Sequence, residues 1–162
     1  MDYSDTLLTI AELGIALAGF ATLATAIARR QDDQTPVLGS RLISMLEVAL
    51  RNVAFAVLPL PFLASFSSDP NLWRVGSGVY IITVLAHAYF RKLGIGFFTK
   101  GWFRTSQVAL IAATSLVAIA NIVGLAGSDA FSLYIANLLL GLGSSGLMFL
   151  SVAKGVLYVE RP

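Results

Sequence analysis

The chain has 162 residues, of which 57% are hydrophobic and only 12% are charged, and its mean hydropathy is +0.80. Because an ordinary soluble domain is about 25% charged, this composition excludes a typical soluble fold and predicts an all-α, polytopic membrane protein. The absence of cysteine excludes disulfides, thiolate metal sites and cysteine nucleophiles, and the net charge of +2 comes from few basic residues, so nucleic acid is not an expected partner.

Five apolar segments are each long enough to cross ~30 Å of hydrocarbon, which takes about 20 helical residues. We therefore predict one membrane domain over residues 1–162, a five-transmembrane-helix bundle. Its predicted spans are Thr6–Ile27, Gly39–Ser65, Leu72–Phe90, Ser106–Ala126 and Ala130–Leu157. The short connections after the second and fourth spans predict two tight antiparallel hairpins.

The loop charges predict the orientation of this bundle. Nine of the eleven basic residues fall on one side of the five predicted spans, whereas the other side has Arg74 among four aspartates. The positive-inside rule then places the N-terminus outside and the C-terminus in the cytoplasm, in a cytoplasmic membrane. Two aromatic belts are expected at the interfaces, with Tyr3, Trp73 and Tyr134 outside and Tyr89, Phe90, Trp102, Phe103 and Tyr158 inside. The basic and aromatic loop Arg91–Arg104 is expected to lie along the lipid headgroups.

The second span carries charged residues inside an otherwise apolar run. Glu47 and Arg51 are four residues apart, on one helical face, and this spacing predicts an internal ion pair. A charge at the bilayer centre costs ~2.5 to 3.5 kcal/mol, so Arg51 is expected to face protein or water, as is its neighbour Asn52. Glu12 of the first span is close enough in depth to be a second partner for Arg51. These charges either fix the packing of the first two helices or line a polar cavity or ion path.

His87 is the only histidine, so a bis-histidine haem cannot form within one chain, and no cofactor or metal is predicted. We expect His87 to form a local hydrogen bond. A proton relay with Glu47 is the alternative, because histidine titrates near neutrality.

Small and polar residues form stripes on three of the predicted helices. The first span has Gly14, Ala18, Ala21 and Thr25; the fourth has Gln107, Thr114, Ala118 and Asn121; the fifth has Asn137, Gly141, Ser144, Ser145 and Met148. Such stripes are typical of close helix packing in membranes. Pro59 and Pro61 are expected to bend the second helix and to free the carbonyls of Phe55 and Val57, which lie four residues earlier.

Two resemblances follow from these features. The string Gly143–Gly146 resembles the Gly-x-Ser-Gly nucleophile motif of rhomboid intramembrane proteases, and it implies Ser145 and His87 as a pair to test. Those enzymes place the histidine on a later helix, whereas His87 lies on an earlier one. The order of an apolar, Arg-Arg-ended first span and a proline-broken second span resembles small bacterial membrane proteins of unknown function, which implies no activity.

The leading functional hypothesis is a small channel or channel-like transport protein for ions or a small solute. Five helices leave little room for a pore, so a homo-oligomer is expected. The candidate lining residues are Glu12, Glu47, Arg51, Asn52 and His87, with Asn121 and Asn137 as secondary ones. The second hypothesis is a non-catalytic membrane subunit or scaffold that binds partner helices or lipid. An intramembrane hydrolase is the third.

Overall fold

The computed structural model describes residues 3–28, 36–66, 69–93, 102–125, 127 and 129–157. Its elements are α1 (Tyr3–Ala28), α2 (Pro36–Val57), a 3₁₀ turn (Leu60–Phe62), α3 (Leu63–Phe66), α4 (Pro70–Leu93), α5 (Trp102–Ile122) and α6 (Ala130–Leu157). Within the described ranges all regular secondary structure is helical, which confirms the all-α prediction. Most of the predicted headgroup loop, residues 94–101, lies outside these ranges.

Four of the five long helices are long and apolar enough to cross a membrane. Their apolar windows are Tyr3–Ala24, Leu42–Phe62, Phe103–Ile122 and Ala130–Ala153. α4 has 24 residues, which is sufficient length, but it is the least apolar of the five. The crossing by α4, and with it the count of five spans, stays a prediction.

Local sequence signals account for where the later helices begin and end. Asp69 caps α4, because its Oδ1 accepts a hydrogen bond of 2.9 Å from the backbone N–H of Asn71, and Pro70 occupies the first helical position. α5 ends at Ile122, and Gly124 follows with a φ of 80°, which is strained for other residues. The N–H of Leu125 then bonds to the carbonyl of Ala120 at 3.0 Å, which closes the end of the helix.

The prolines of the second span break its helix. α2 ends at Val57, and Pro59 precedes the 3₁₀ turn. Pro59 has no N–H to donate to the carbonyl of Phe55, so that carbonyl needs another donor. The hydroxyl of Tyr134 on α6 supplies it. The break at the end of α2 is therefore joined to α6 by this hydrogen bond.

The bundle is organised around α6. α6 packs against α1, α2, α4 and α5, while α1 packs mainly on α2, and α4 on α5. The pairs α1–α2 and α4–α5 thus lie on either side of α6. α2 makes few close contacts with α4 or α5, which leaves space between them.

Polar side chains lie among the apolar core residues inside the bundle, and large apolar side chains also cover its outside. The buried polar residues include Asn52, Ser77, Gln107, Asn121, Asn137 and Ser145, each 2% exposed or less. The outward residues of α4 are nevertheless large and apolar, with Val75 65% and Ile82 66% exposed. This distribution suits a protein surrounded by lipid, whose interior needs hydrogen bonds and whose exterior does not.

The predicted outer aromatic belt is wrong for two of its members. Trp73 and Tyr134 are buried, at 3% and 1% exposure, and their ring centroids are 5.5 Å apart inside the bundle. Tyr3 is partly exposed and packs on Trp73. Phe103, predicted for the inner belt, is also buried, whereas Tyr89 and Phe90 do face outward.

Candidate functional site

A cavity that is open on part of its surface lies between α2, α4, α5 and α6, with about 500 Å³ of space when the open space at its mouth is included. It exists because α2 and α4 both pack on α6 without closing on each other. Much of its wall is apolar, including Val84, Leu110 and Ile111. The polar residues that line it are Arg51, Tyr80, His87, Gln107, Thr114 and Ser144.

Arg51 is the charged residue on the α2 wall of this cavity. Its guanidinium carbon lies 5.7 Å from the centre of the Tyr80 ring, within the range of a cation–π contact. Its Nε is buried and has no hydrogen-bond partner. The predicted ion pair with Glu47 is wrong: Glu47 attracts Arg51 only from beyond ion-pair distance. Glu12 does not reach Arg51 either, because it lies on the exposed face of α1.

Glu47 instead lies next to His87, the residue with which the sequence suggests a proton relay as an alternative. The Nδ1 of His87 is 3.5 Å from the Oε2 of Glu47, and the two side chains are 22% and 43% exposed. This distance is long for a hydrogen bond but within reach of an ion pair when the imidazole is protonated. The pair bridges α2 and α4 beside the cavity.

Asn52 lies behind the cavity wall and is fully buried. Its Nδ2 donates to the carbonyl of Val48 at 2.8 Å, and its Oδ1 accepts from the hydroxyl of Tyr80 at 2.9 Å. Gly141 of α6 packs directly on this pair, since a Cβ at that position would overlap the Tyr80 hydroxyl and approach the Asn52 Oδ1 to 2.5 Å. Asn52 therefore joins α2 to α4 and α6 and does not line the cavity.

Asn121 and Asn137 form a second buried network, outside the cavity. The Nδ2 of Asn121 lies 2.7 Å from the Oγ of Ser77, 3.0 Å from the carbonyl of Ala130 and 3.3 Å from the carbonyl of Trp73. The Nδ2 of Asn137 is 3.3 Å from the same Ser77 Oγ. These bonds connect α4, α5 and α6, so both asparagines hold helices together here.

Gln107 and Ser144 form a reciprocal clasp on the cavity wall. The Oγ of Ser144 donates to the Oε1 of Gln107 at 2.6 Å, while the Nε2 of Gln107 donates to the Ser144 carbonyl at 3.2 Å. Thr114, further along α5, donates its hydroxyl to the carbonyl of Leu110. The hydrogen-bonding capacity of this wall is largely used within the protein.

The small residues of the predicted packing stripes lie at close helix contacts. A Cβ on Gly14 would come within 2.7 Å of Val53 on α2, and Ala18 is only 8% exposed. Ser145 is fully buried and donates to the carbonyl of Met45 at 3.2 Å. No hydrogen bond joins Ser145 to His87, so the structure does not bring the rhomboid-like pair together.

The chain matches no protein-family model, no curated protein and no solved structure. The geometry of its own residues is therefore what bears on its function.

Sequence reasoning missed Tyr80 and Ser77, two of the buried polar residues of α4. Both belong to the set Trp73, Ser77, Tyr80, Val84 and His87, whose spacing of four, three, four and three places them on one helical face. Four members are at most 7% exposed, and the His87 side chain is 22% exposed. That spacing is the sequence signal from which the buried face of α4, with Ser77 and Tyr80 on it, could have been predicted.

Proposed function

We propose that the chain is an integral membrane protein that crosses a cytoplasmic membrane five times, with its N-terminus outside. Four of its helices are long and apolar enough to cross. Support for α4 as the remaining span comes from its outward face, on which Val75, Val79, Ile82 and Leu85 are all exposed. Two polar residues of α4, Ser77 and Tyr80, are buried in the bundle, where they hydrogen-bond to Asn121 of α5 and Asn52 of α2. The charge asymmetry of the loops supports the orientation.

Within this bundle, the Arg51 cavity is the proposed functional site, and channel-like transport of a small solute is the proposed function. The observation that carries this proposal is Arg51 itself. A buried charge whose only role is packing is expected to have a carboxylate within reach, because leaving it uncompensated is costly. Arg51 has the Tyr80 ring and hydroxyl beside it and a cavity in front of it, and its buried Nε lacks a partner, as does that of Arg74, which does not line the cavity.

This proposal changes the set of residues that would line the path. Arg51 and His87 stay in it, and Glu47 lies beside His87 at the edge. Asn52, Asn121 and Asn137 leave it, because their hydrogen bonds join helices to one another.

Flux in reconstituted vesicles tests the proposal. The purified protein is incorporated into vesicles, and the efflux of small inorganic and organic ions is followed for the native chain, Arg51→Gln and Arg74→Gln. Arg74 is the matched control, because it bonds to the carbonyl of Gly127 in the α5–α6 turn and does not line the cavity. We expect the Arg51 variant to change the rate or the selectivity and the Arg74 variant to leave both unaltered. Equal flux through all three proteins, or none above empty vesicles, would overturn the proposal.

A non-catalytic membrane subunit is the second candidate, and Glu12 is the observation that favours it. Its carboxylate is exposed on α1 among outward apolar residues such as Leu8 and Ile15. Ionisable side chains within membrane helices almost always face protein or water. Nearby Ala16 and Gly19 are small and exposed, and a Cβ on Gly19 would meet nothing within 4 Å. This face has room for a close partner helix that shields Glu12, supplied by a second copy or by another subunit.

A further inference from the structure

The chemistry of the cavity wall restricts what the proposed transport site can bind. Among the described residues that line the cavity, Arg51 is the permanently charged one, and none is a carboxylate. The hydroxyl hydrogens of Tyr80, Thr114 and Ser144 are already donated to acceptors within the protein. The Arg51 guanidinium contacts the Tyr80 ring and hydroxyl and is the permanently charged group on the described wall, so an anionic group is the complementary partner.

The charge of that ligand is also limited. The Glu47 carboxylate lies 3.5 Å from His87, which lines the cavity, so a second negative charge of the ligand near His87 would meet repulsion. One guanidinium compensates one negative charge. A monoanion fits this balance better than a dianion such as a phosphate monoester, and a cation is disfavoured by Arg51 itself.

The rest of the cavity wall is apolar and therefore favours a ligand with a hydrocarbon group. Val84, Leu110, Ile111, Leu140 and Met148 supply apolar surface opposite or beside Arg51. An inorganic anion would leave this surface without a partner, whereas a short alkyl or aryl group would bury it.

We propose that this cavity binds a small amphiphilic monocarboxylate, with its carboxylate on the Arg51 guanidinium and its hydrocarbon part against the apolar residues of α4, α5 and α6. This inference rests on the proposed function in one respect, namely that the cavity is a binding site. It goes further by assigning the chemical class of the ligand. The side chain that selects the class is Arg51, and the apolar wall sets the preference for chain length.

Direct binding of radiolabelled hexanoate to the protein in nanodiscs of zwitterionic lipid tests this inference, with empty nanodiscs subtracted for partition into lipid. We expect saturable binding that the neutral isostere hexanamide and the cation hexylammonium compete for at least tenfold less well. Each methylene removed, from hexanoate to butyrate, should weaken binding about fourfold through lost apolar burial. No saturable binding, or equal competition by all three compounds, would overturn the inference.

Two variants locate the site. Arg51→Gln should weaken hexanoate binding roughly ten- to hundredfold, as expected for loss of a charged hydrogen bond, and should leave hexanamide binding unaltered. Ala88→Phe keeps Arg51 and fills the cavity from α4, so it should abolish the binding of both compounds. Arg74→Gln, outside the cavity, should bind like the native chain. Hexanoate binding that survives both Arg51→Gln and Ala88→Phe would place the ligand elsewhere and overturn the assignment.

The binding assay and the flux assay test separate claims, so one can fail while the other succeeds. Saturable hexanoate binding without flux of any solute would sustain the ligand assignment and overturn transport. Arg51-dependent flux of an inorganic ion, with no hexanoate binding, would sustain transport and overturn the ligand assignment.

Discussion

Replacement of Gly141 by alanine should destabilise the bundle at the point where α2, α4 and α6 meet. The added Cβ would overlap the Tyr80 hydroxyl and the Asn52 amide, which are fully buried and hydrogen-bonded to each other. Overpacking of this kind costs about 1–3 kcal/mol, and separation of the Tyr80–Asn52 bond adds about 1 kcal/mol. The higher helix propensity of alanine returns about 0.5–1 kcal/mol. We expect the free energy of unfolding to fall by about 1–3 kcal/mol.

The same helix offers a matched control and a rescue. A Cβ on Gly143 meets nothing within 4 Å, so Gly143→Ala should be neutral or slightly stabilising. Tyr80→Phe removes the hydroxyl that the new Cβ would overlap, so it should recover part of the loss in the double variant with Gly141→Ala. Unfolding is measured in detergent micelles by circular dichroism against added denaturing detergent. Equal stability of the Gly141 and Gly143 variants, or additive losses in the double variant, would refute this packing.

Two further predictions concern Tyr134 and Glu12. Tyr134→Phe leaves the Phe55 carbonyl without a donor and should lower the free energy of unfolding by about 1–3 kcal/mol. In a Pro59→Ala background a backbone N–H is restored, so the same substitution should cost less. An equal loss in both backgrounds would contradict the role of this bond. Glu12→Leu should make the monomer at least as stable as the native chain, because the carboxylate is exposed to lipid there. The same substitution should weaken self-association if a second copy covers Glu12. The control is Ile15→Leu on the same exposed face: identical cross-linking of the two variants in vesicles would exclude Glu12 from an interface.

Backbone features and helix faces were predictable where local chemistry determines them. Pro59 lacks an N–H, so α2 had to end near it, and Gly14 and Gly141 fit stripes of small residues that favour close helix contact. The buried positions of Asn121 and Asn137 followed from the same helical spacing. In each case the signal is a property of the helix itself and does not depend on which neighbour it meets.

Partners across helices were not predictable, and the ion pair expected for Arg51 shows why. A rise of ~1.5 Å per residue gives the depth of a side chain in the membrane but not the rotation of one helix relative to another. The helical rise gives Glu12 a depth similar to that of Arg51, yet α1 turns it outward, because most other positions on that helix are apolar or small and impose no particular face. Glu47 and Arg51 share a face of α2, but the nearer partner for Glu47 comes from α4, as His87.

Arg51 differs from the polar groups that join the helices because it lines the cavity and has no hydrogen bond to a carboxylate or backbone carbonyl among the described residues. Asn52, Gln107 and Asn121 each donate to an acceptor within the bundle, and Arg74 donates to the carbonyl of Gly127. Arg51 and Arg74 each keep a buried Nε without an acceptor, but Arg51 lines the cavity and Arg74 does not, although a carboxylate lies one turn from Arg51 on its own helix. An apolar residue of similar volume in its place would avoid the desolvation cost, so stability alone does not account for an arginine facing this cavity.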